Sequence, residues 1–272
     1  MPKDRDQDPE EASDKDQNKD QDSVSFYSDF AEYYEEIFPY REAVFAFLSF
    51  HLAGGDLRVL DIGCGSGHYC GHLATAGHHV VGIDSDPQMV AVAERTYDLP
   101  DFHVLDMCDI HTLAPSIQAP PFQMAFCIGN VAAHLPREEV EVFLERLAAI
   151  LAPDGGWICQ VVNWDTILTQ THYRFPEKVV GAHNAVGAQK AVFRREYRDI
   201  TPERVRFVTQ LERLGRTIFT GEITLYPMRA EEYLVLHEKM GFELMGHYAD
   251  YKRQPFDPAH APANIMVFRR RG

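Results

Sequence analysis

The middle of the chain alternates short apolar runs with longer amphipathic stretches. The apolar runs have the length of single buried strands and cover residues 59–62, 80–83, 102–105, 123–129 and 157–163. Stretches 68–76 and 137–151 have apolar residues at spacings of three and four, which predicts helices, and a third helix is expected after Pro87. This alternation predicts an α/β fold with a mostly parallel sheet and helices on both faces.

Residues 165–227 interrupt this pattern. Three runs within them alternate polar with apolar residues, as antiparallel strands that cover one face do: 192–199, 204–214 and 216–225. Regular structure then resumes with a predicted helix and two predicted strands at 231–240, 242–251 and 265–269. We therefore predict an α/β domain with a β-rich insertion after its fifth strand.

The first 40 residues have two parts of opposite character. Residues 1–23 contain nine Asp or Glu, four Lys or Arg and no aromatic or β-branched residue. Such a segment cannot bury enough apolar surface to offset its ordering entropy, so we expect a disordered acidic tail before a domain over residues 24–272. Residues 24–40 are rich in aromatic side chains at helical spacing and predict one or two turns with an aromatic face. A helix over residues 42–52 follows.

Charge and cysteine content narrow the expected partners. The formal net charge of −15 is repelled by phosphate backbones and anionic lipids, so neither nucleic acid nor membrane is an expected partner. The five cysteines form no Cys-x-x-Cys pair, which is typical of reduced thiols in the cytoplasm. No signal-peptide pattern and no apolar run near the ~20 residues of a membrane span occur. We expect a cytoplasmic protein, and the sequence does not indicate its oligomeric state.

The candidate chemistry begins at the end of the first predicted strand. There Asp61-Ile62-Gly63-Cys64-Gly65-Ser66-Gly67 combines an acid with three glycines before a predicted helix. A loop with so few side chains lets a ligand approach the backbone and the helix N-terminus. A dinucleotide-binding loop would need glycine at position 68, which is His68, and no Gly-Lys-Ser/Thr follows for a phosphate-binding loop. The remaining alternatives are another nucleotide-type ligand and a glycine-rich turn that binds nothing.

This segment resembles the first motif of the class I S-adenosylmethionine-dependent methyltransferases, and the resemblance extends over about residues 24–270. It implies a Rossmann-like fold with a seven-stranded, mostly parallel sheet, S-adenosylmethionine as the cofactor, and no metal. The cofactor-binding residues implied in this segment are Asp61, Gly63, Cys64, Gly65 and Gly67. In this family the N-terminal segment covers the methionine end of the cofactor, which adds Tyr27, Tyr34 and Arg41, the last as a partner for the cofactor carboxylate.

Two further strand ends extend the predicted cofactor site. Asp84 follows the glycines by about 20 residues, where such folds bind ribose, because one carboxylate accepts hydrogen bonds from both vicinal hydroxyls. Ser85 is assigned to the same site, and the alternative for Asp84 is a helix cap. The third strand ends at Asp106-Met107, where the resemblance implies a bond from the adenine amino group to Asp106 and packing of Met107 on the ring.

The segment after the fourth strand looks like that of glycine and glycine/sarcosine N-methyltransferases. The resemblance implies that Asn130 contacts the substrate and Ile128 lies along the cofactor, with a simple turn-forming Asn130 as the alternative. Nucleic-acid amino methyltransferases carry a Pro-Pro-aromatic sequence here, and this chain does not. The glycine enzymes hold the substrate carboxylate with an arginine where this chain has Val162. The insertion supplies candidate replacements: Tyr173, Arg174, Arg194 and Tyr197.

These expectations together predict methylation of a small molecule, most directly the N-methylation of an amine. Alignment of donor and acceptor and exclusion of water supply most of the rate in such a displacement, so no dedicated base is needed. An O- or C-methyltransferase would need a base, for which His134, His172 and His183 are candidates. A protein methyltransferase would need a partner groove that the sequence does not show. An alternative of a different class is a non-catalytic S-adenosylmethionine-binding module.

Overall fold

The structure is a computed structural model that describes residues 33–52, 55–113, 120–181 and 190–272. The predicted acidic tail, together with Tyr27 and His183, lies outside the described residues. Their assignments stay predictions.

Seven strands form the central sheet: β1 (Arg58–Ile62), β2 (His79–Asp84), β3 (Asp101–Val104), β4 (Phe122–Cys127), β5 (Leu151–Val162), β11 (Phe242–Tyr248) and β12 (Ala263–Arg270). Their order across the sheet is β3-β2-β1-β4-β5-β12-β11. Strands β1 to β5 run parallel, and β12 is antiparallel to both of its neighbours. The predicted Rossmann-like, seven-stranded and mostly parallel sheet is confirmed.

The described helices are α1 (Tyr34–Ile37), α2 (Glu42–His51), α3 (His68–Thr75), α4 (Pro87–Thr96), α5 (Arg137–Ile150), α6 (Trp164–Ile167) and α7 (Ala230–Lys239). The short α1 packs through Ile37 on the insertion, and the longer helices cover both faces of the sheet. Apolar residues of α2, α3 and α4 pack in one buried cluster, and those of α5 and α7 pack in another. Among the described helices, none is long and apolar enough to cross a membrane.

The insertion forms a second, antiparallel sheet of five strands: β6 (Tyr173–Arg174), β7 (Lys178–Val180), β8 (Ala191–Arg198), β9 (Val205–Arg213) and β10 (Arg216–Leu225). Strands β8, β9 and β10 lie within two residues of their predicted bounds, because approximate polar and apolar alternation marks one face of each strand as the more buried one. The short strands β6 and β7 were not predicted, since two or three residues are too few to show a period.

The fifth strand differs from its prediction. A turn was expected over residues 153–156 before a strand at 157, yet β5 already begins at Leu151. The pairing with β4 shifts register between the Phe122 and Met124 positions, so the glycine-containing stretch is an irregularity inside the strand. The pairing with β4 passes from Leu151 directly to Gly156, β12 pairs only from Gly156 onward, and Asp154 has a left-handed φ of +60°, so the predicted turn is present as a bulge within β5.

Candidate active site

A cavity of about 1830 Å³ opens at the carboxyl ends of the parallel strands. This edge is where open α/β sheets bind their ligands. Residues of β8, β9 and β10 line the cavity as well, so it lies between the two sheets. It brings together most of the residues predicted from the sequence: Tyr34, Arg41, Asp61, Gly63, Cys64, Gly65, Asp84, Ser85, Asp106, Met107, Ile128 and Asn130.

The glycine loop forms the floor of the cavity beside β1. The N–H groups of Gly63 and Cys64 donate to the Ile83 carbonyl over 2.8 and 2.9 Å, so they extend the β1–β2 pairing. Gly65 has a φ of +54°, and a Cβ there would lie 2.8 Å from the hydroxyl oxygen of Tyr34. The loop therefore exposes its backbone to the cavity, and the Tyr34 ring of α1 packs over Gly65.

Asp84 is positioned at the end of β2 by the neighbouring backbone. Its carboxylate accepts hydrogen bonds from the N–H of Gly65 at 2.8 Å and of Asp86 at 2.9 Å. Burial raises the pKa of Asp84 to about 6, although both N–H groups act in the opposite direction. Asp86, and not Asp84, caps α4 by accepting from the N–H of Gln88. The cap alternative for Asp84 is therefore wrong, and Asp84 lines the cavity.

Asp61 lies deeper, at 2% exposure, on β1. The Cys70 thiol donates to its carboxylate over 3.3 Å, and burial raises the pKa of Asp61 to about 7. This carboxyl group lies below the glycine loop and helps to fix α3 against β1.

Asp106 and Met107 line the far end of the cavity, after β3. The N–H of Cys108 donates to Asp106 Oδ1 over 2.6 Å, which fixes the carboxylate at the start of a short 3-10 segment. Val104 lines the same end and is 55% exposed. An acceptor carboxylate beside exposed apolar side chains fits a flat heterocycle with an amino group, as the adenine assignment requires.

The Gly129-Asn130 turn after β4 is held by β5. Gln160 Oε1 accepts from the N–H of Gly129 at 2.7 Å, and Asn130 Oδ1 accepts from the N–H of Val162 at 3.0 Å. Asn130 has a left-handed φ of +73°. Its side-chain oxygen is thus used within the fold, and only the amide Nδ2 has no partner among the described residues. The predicted contact of Asn130 with a substrate stays a prediction, and Nδ2 is the atom available for it.

Four predicted site residues lie outside the cavity lining. A Cβ on Gly67 would meet Phe102 at 2.7 Å, so this glycine permits packing of the loop and does not face a ligand. Tyr173 packs against Phe175. The remaining two are arginines held by acids on the outer face of the second sheet: Arg174 by Glu196, and Arg194 by Glu177 and Glu212.

Sequence reasoning missed several residues that line the cavity, namely Tyr69, Gln160, Phe175, Lys178, Arg195, Phe207, Thr209, Tyr226 and Tyr251. One of these residues, Arg195, could have been predicted from the sequence. Arg195 has the same parity in β8 as Phe193 and Tyr197, which are both buried, whereas Arg194 has the opposite parity. The period of two would therefore have distinguished the inward Arg195 from Arg194, which the sequence analysis named instead.

Of the three histidines considered as bases, His134 lines the cavity. Burial lowers the pKa of His134 to about 4, so the ring is neutral at neutral pH and is a weak base. His172 instead contacts Glu196 at 2.7 Å and does not line the cavity.

Comparison with known proteins agrees with this geometry. Residues 59–155 match the family described as "Methyltransferase domain". A ubiquinone biosynthesis O-methyltransferase from Bradyrhizobium diazoefficiens is 33% identical over 110 residues, which cover 40% of this chain and 41% of that protein. A glycine/sarcosine N-methyltransferase from Halorhodospira halochloris is 26% identical over 210 residues, 73% of this chain and 70% of that protein. The chain thus spans well under half of the first relative and more than two thirds of the second.

Among solved structures, the CcbJ methyltransferase from Streptomyces caelestis has the same fold. It aligns with a TM-score of 0.71 and 17% identity, covering 91% of this chain and 98% of that chain. The matched residues 59–155 include the glycine loop, Asp84 and Asp106, so this part of the chain is similar to the class of methyltransferase domains, and the solved structure shows that the chain shares their fold. Within the class, the similar proteins include both N- and O-methyltransferases, so similarity leaves the acceptor atom open.

Proposed function

We propose that this protein transfers a methyl group from S-adenosylmethionine to the nitrogen of a small amine. The observation that carries the proposal is one cavity in which Gly65, Asp84 and Asp106 lie on the central sheet while the insertion sheet closes the opposite side. A cofactor site that continues into a walled acceptor space is what a small-molecule transferase requires.

The residues present fit the cofactor. A Cβ at Gly63 or Gly65 would meet Val131 at 2.7 Å or Tyr34 at 2.8 Å, so the loop has room only for backbone beside a ligand. Asp84 offers an oriented carboxylate for a ribose diol, Asp106 one for an amino group, and Arg41 a cation for a carboxylate. When bound, S-adenosylmethionine supplies an activated methyl group on a sulfonium.

The described residues favour nitrogen as the acceptor. A neutral amine attacks without a base and releases its proton afterwards, whereas a hydroxyl must lose its proton as it attacks. His134 is a weak base because of its lowered pKa. The chain therefore contributes alignment and water exclusion, through walls that include Phe175, Tyr197 and Phe207.

O-methylation is the second candidate, supported by the similarity to the ubiquinone O-methyltransferase and by the position of His134 in the cavity. The following assay distinguishes N-methylation from O-methylation. Purified protein is incubated with S-adenosylmethionine and matched pairs of small amines and the corresponding alcohols or phenols, and S-adenosylhomocysteine release is measured. Turnover of amines that survives His134→Ala supports the proposal, and turnover confined to hydroxyl acceptors contradicts it. Cofactor binding without transfer to any acceptor supports a non-catalytic binding module.

A further inference from the structure

Two polar residues of the insertion sheet face the cavity, and each has a buried polar atom without a hydrogen bond among the described residues. Arg195 of β8 and Thr209 of β9 are direct cross-strand neighbours, and both line the cavity. Directly opposite residues have their Cβ atoms about 4.5–5.5 Å apart, so one small ligand group can contact both side chains.

Both side chains contain buried polar atoms that lack a hydrogen bond. Arg195 Nε and Thr209 Oγ1 are fully covered and have no partner among the described residues, and Thr209 is 0% exposed. An unpaired buried polar group costs roughly 1–3 kcal/mol, so two adjacent ones on a cavity wall indicate a site for a bound group.

The charge of this wall is unbalanced. Arg195 lies 4.8 Å from the ring of Phe175 and 5.7 Å from that of Phe38, and Lys178 lies 5.2 Å from Phe38. Within the described residues neither cation pairs with a carboxylate. Glu222 also lines the cavity, but Arg206 holds its carboxylate at 2.9 Å. Lys178 Nζ donates to the backbone carbonyl of Ile37, which is uncharged, so an anion in the cavity would balance the charge of both cations.

The outer face of the same strand shows the contrast. Arg194 and Arg198 each contact acids, respectively Glu177 with Glu212, and Glu196. In a chain with a net charge of −15, acids are abundant, and the cavity-facing Arg195 has none. Burial lowers the pKa of Lys178, and the positive charges of Arg195 and Arg41 lower it further.

The wall is separate from the glycine loop. Tyr34 lies over Gly65 and packs on Phe38 with ring centroids 5.2 Å apart, and Phe38 in turn contacts Arg195. The rings of Tyr34 and Phe38 thus lie between the predicted cofactor loop and the cavity wall formed by Arg195 and Lys178.

We propose that Arg195, Thr209 and Lys178 bind a carboxylate carried by the methyl acceptor, which makes the substrate class an amine with a carboxylate group. The planar guanidinium of Arg195 matches a carboxylate. Its Nε and the Thr209 hydroxyl are covered in the ligand-free protein, so they donate to the ligand only after the two side chains rotate. The inference rests on the proposed function and specifies its acceptor. Arg195 would therefore bind the substrate carboxylate, which Val162 cannot do. The sequence analysis had assigned this role to Arg174 or Arg194.

The test compares Arg195→Gln, Arg195→Lys and Thr209→Val with the control Arg194→Gln, which changes an arginine outside the cavity on the same strand. Each variant is assayed with carboxylate-bearing amines, with their carboxamides, and with phosphate-bearing amines. For carboxylate acceptors we expect KM to rise about ten- to hundredfold in Arg195→Gln, with a smaller rise in Arg195→Lys, because a charged hydrogen bond contributes roughly 1.5–3 kcal/mol. Arg194→Gln should leave KM unchanged.

The melting temperature of the Thr209→Val variant gives a readout that does not depend on turnover. Removing an unpaired buried hydroxyl should leave the melting temperature of the ligand-free protein unchanged or raise it, while KM for carboxylate acceptors rises. A lowered melting temperature without an effect on KM would mean a structural role only and overturn the assignment.

Calorimetry with S-adenosylhomocysteine separates this proposal from the proposed function. Wild-type protein that does not bind it contradicts the proposed function itself. Normal binding, with carboxylates and carboxamides methylated equally in wild type and Arg195→Gln, contradicts only the anion site. Weakened S-adenosylhomocysteine binding in Arg195→Gln would assign the wall to the cofactor carboxylate, and a preference for phosphate-bearing amines would replace the carboxylate by a phosphate; either result overturns the proposal.

Discussion

The backbone N–H of Gly65 donates a 2.8 Å hydrogen bond to Asp84 Oδ2. This bond ties the loop after β1 to the end of β2, so the surface that faces a ligand and the carboxylate beside it form one unit. A change at either residue should therefore disturb cofactor binding through the other.

We expect Asp84→Ala to weaken S-adenosylhomocysteine binding by roughly 1.5–3 kcal/mol, because the ribose diol would lose its charged acceptor. Isothermal titration calorimetry measures this loss. Asp98→Ala, at an exposed position outside the cavity, is the matched control. Wild-type affinity in Asp84→Ala would remove this residue from the site.

Cofactor affinity should fall as the pH is lowered through about 6. The raised pKa of Asp84 means that the carboxylate is ionised above that value and protonated below it, and the protonated form loses acceptor capacity. At pH 5 we expect at most a roughly tenfold loss relative to pH 7.5. The loss should disappear in Asp84→Asn. A pH dependence retained in that variant would point to Asp61, whose pKa is raised to about 7.

Gly65→Ala should impair cofactor binding beyond its effect on stability. The left-handed backbone costs any L residue roughly 1 kcal/mol, and the added methyl group would collide with Tyr34. Gly215→Ala is the control, since its φ of +71° is also left-handed but a Cβ there meets nothing within 4 Å. Thermal denaturation should show a loss for both variants, and calorimetry a loss of affinity for Gly65→Ala alone. Equal affinities would contradict the loop assignment.

Two substitutions separate the roles of Asn130. Asn130→Asp retains the oxygen that accepts from Val162 but removes the Nδ2 donor, whereas Asn130→Ala removes both. If Nδ2 contacts the methyl acceptor, both variants lose turnover and only Asn130→Ala also loses about 1 kcal/mol of stability. Full turnover in Asn130→Asp would show that the residue serves only the turn.

Deletion of residues 1–23 should change neither the melting temperature nor the affinity for S-adenosylhomocysteine, because this segment contains no core-forming side chains. Differential scanning calorimetry and titration of the full and shortened chains test this. A melting temperature several degrees lower in the shortened chain would show that the tail docks on the domain.

The sequence by itself determined the central sheet and the cofactor side of the cavity. Buried parallel strands are continuous apolar runs, and their ends carry residues such as Asp84 and Asp106 whose position follows from the strand alone. Local pattern also placed β8, β9 and β10, since one face of each is buried. In β5 the local turn preference of residues 153–155 survives as a bulge, and the strand extends on both sides of it.

The period of two places Arg194 and Arg195 on opposite faces of β8, but only the tertiary structure decided which face of the insertion lies over the cavity. Arg194 and Arg195 are adjacent in sequence and chemically identical, and the side of the sheet that packs over the central domain makes one an ion-paired surface residue and the other a cavity residue. The same holds for Asn130, whose oxygen is occupied by Val162, a residue 32 positions away. Such outcomes depend on contacts between segments distant in the chain, which local periodicity does not encode.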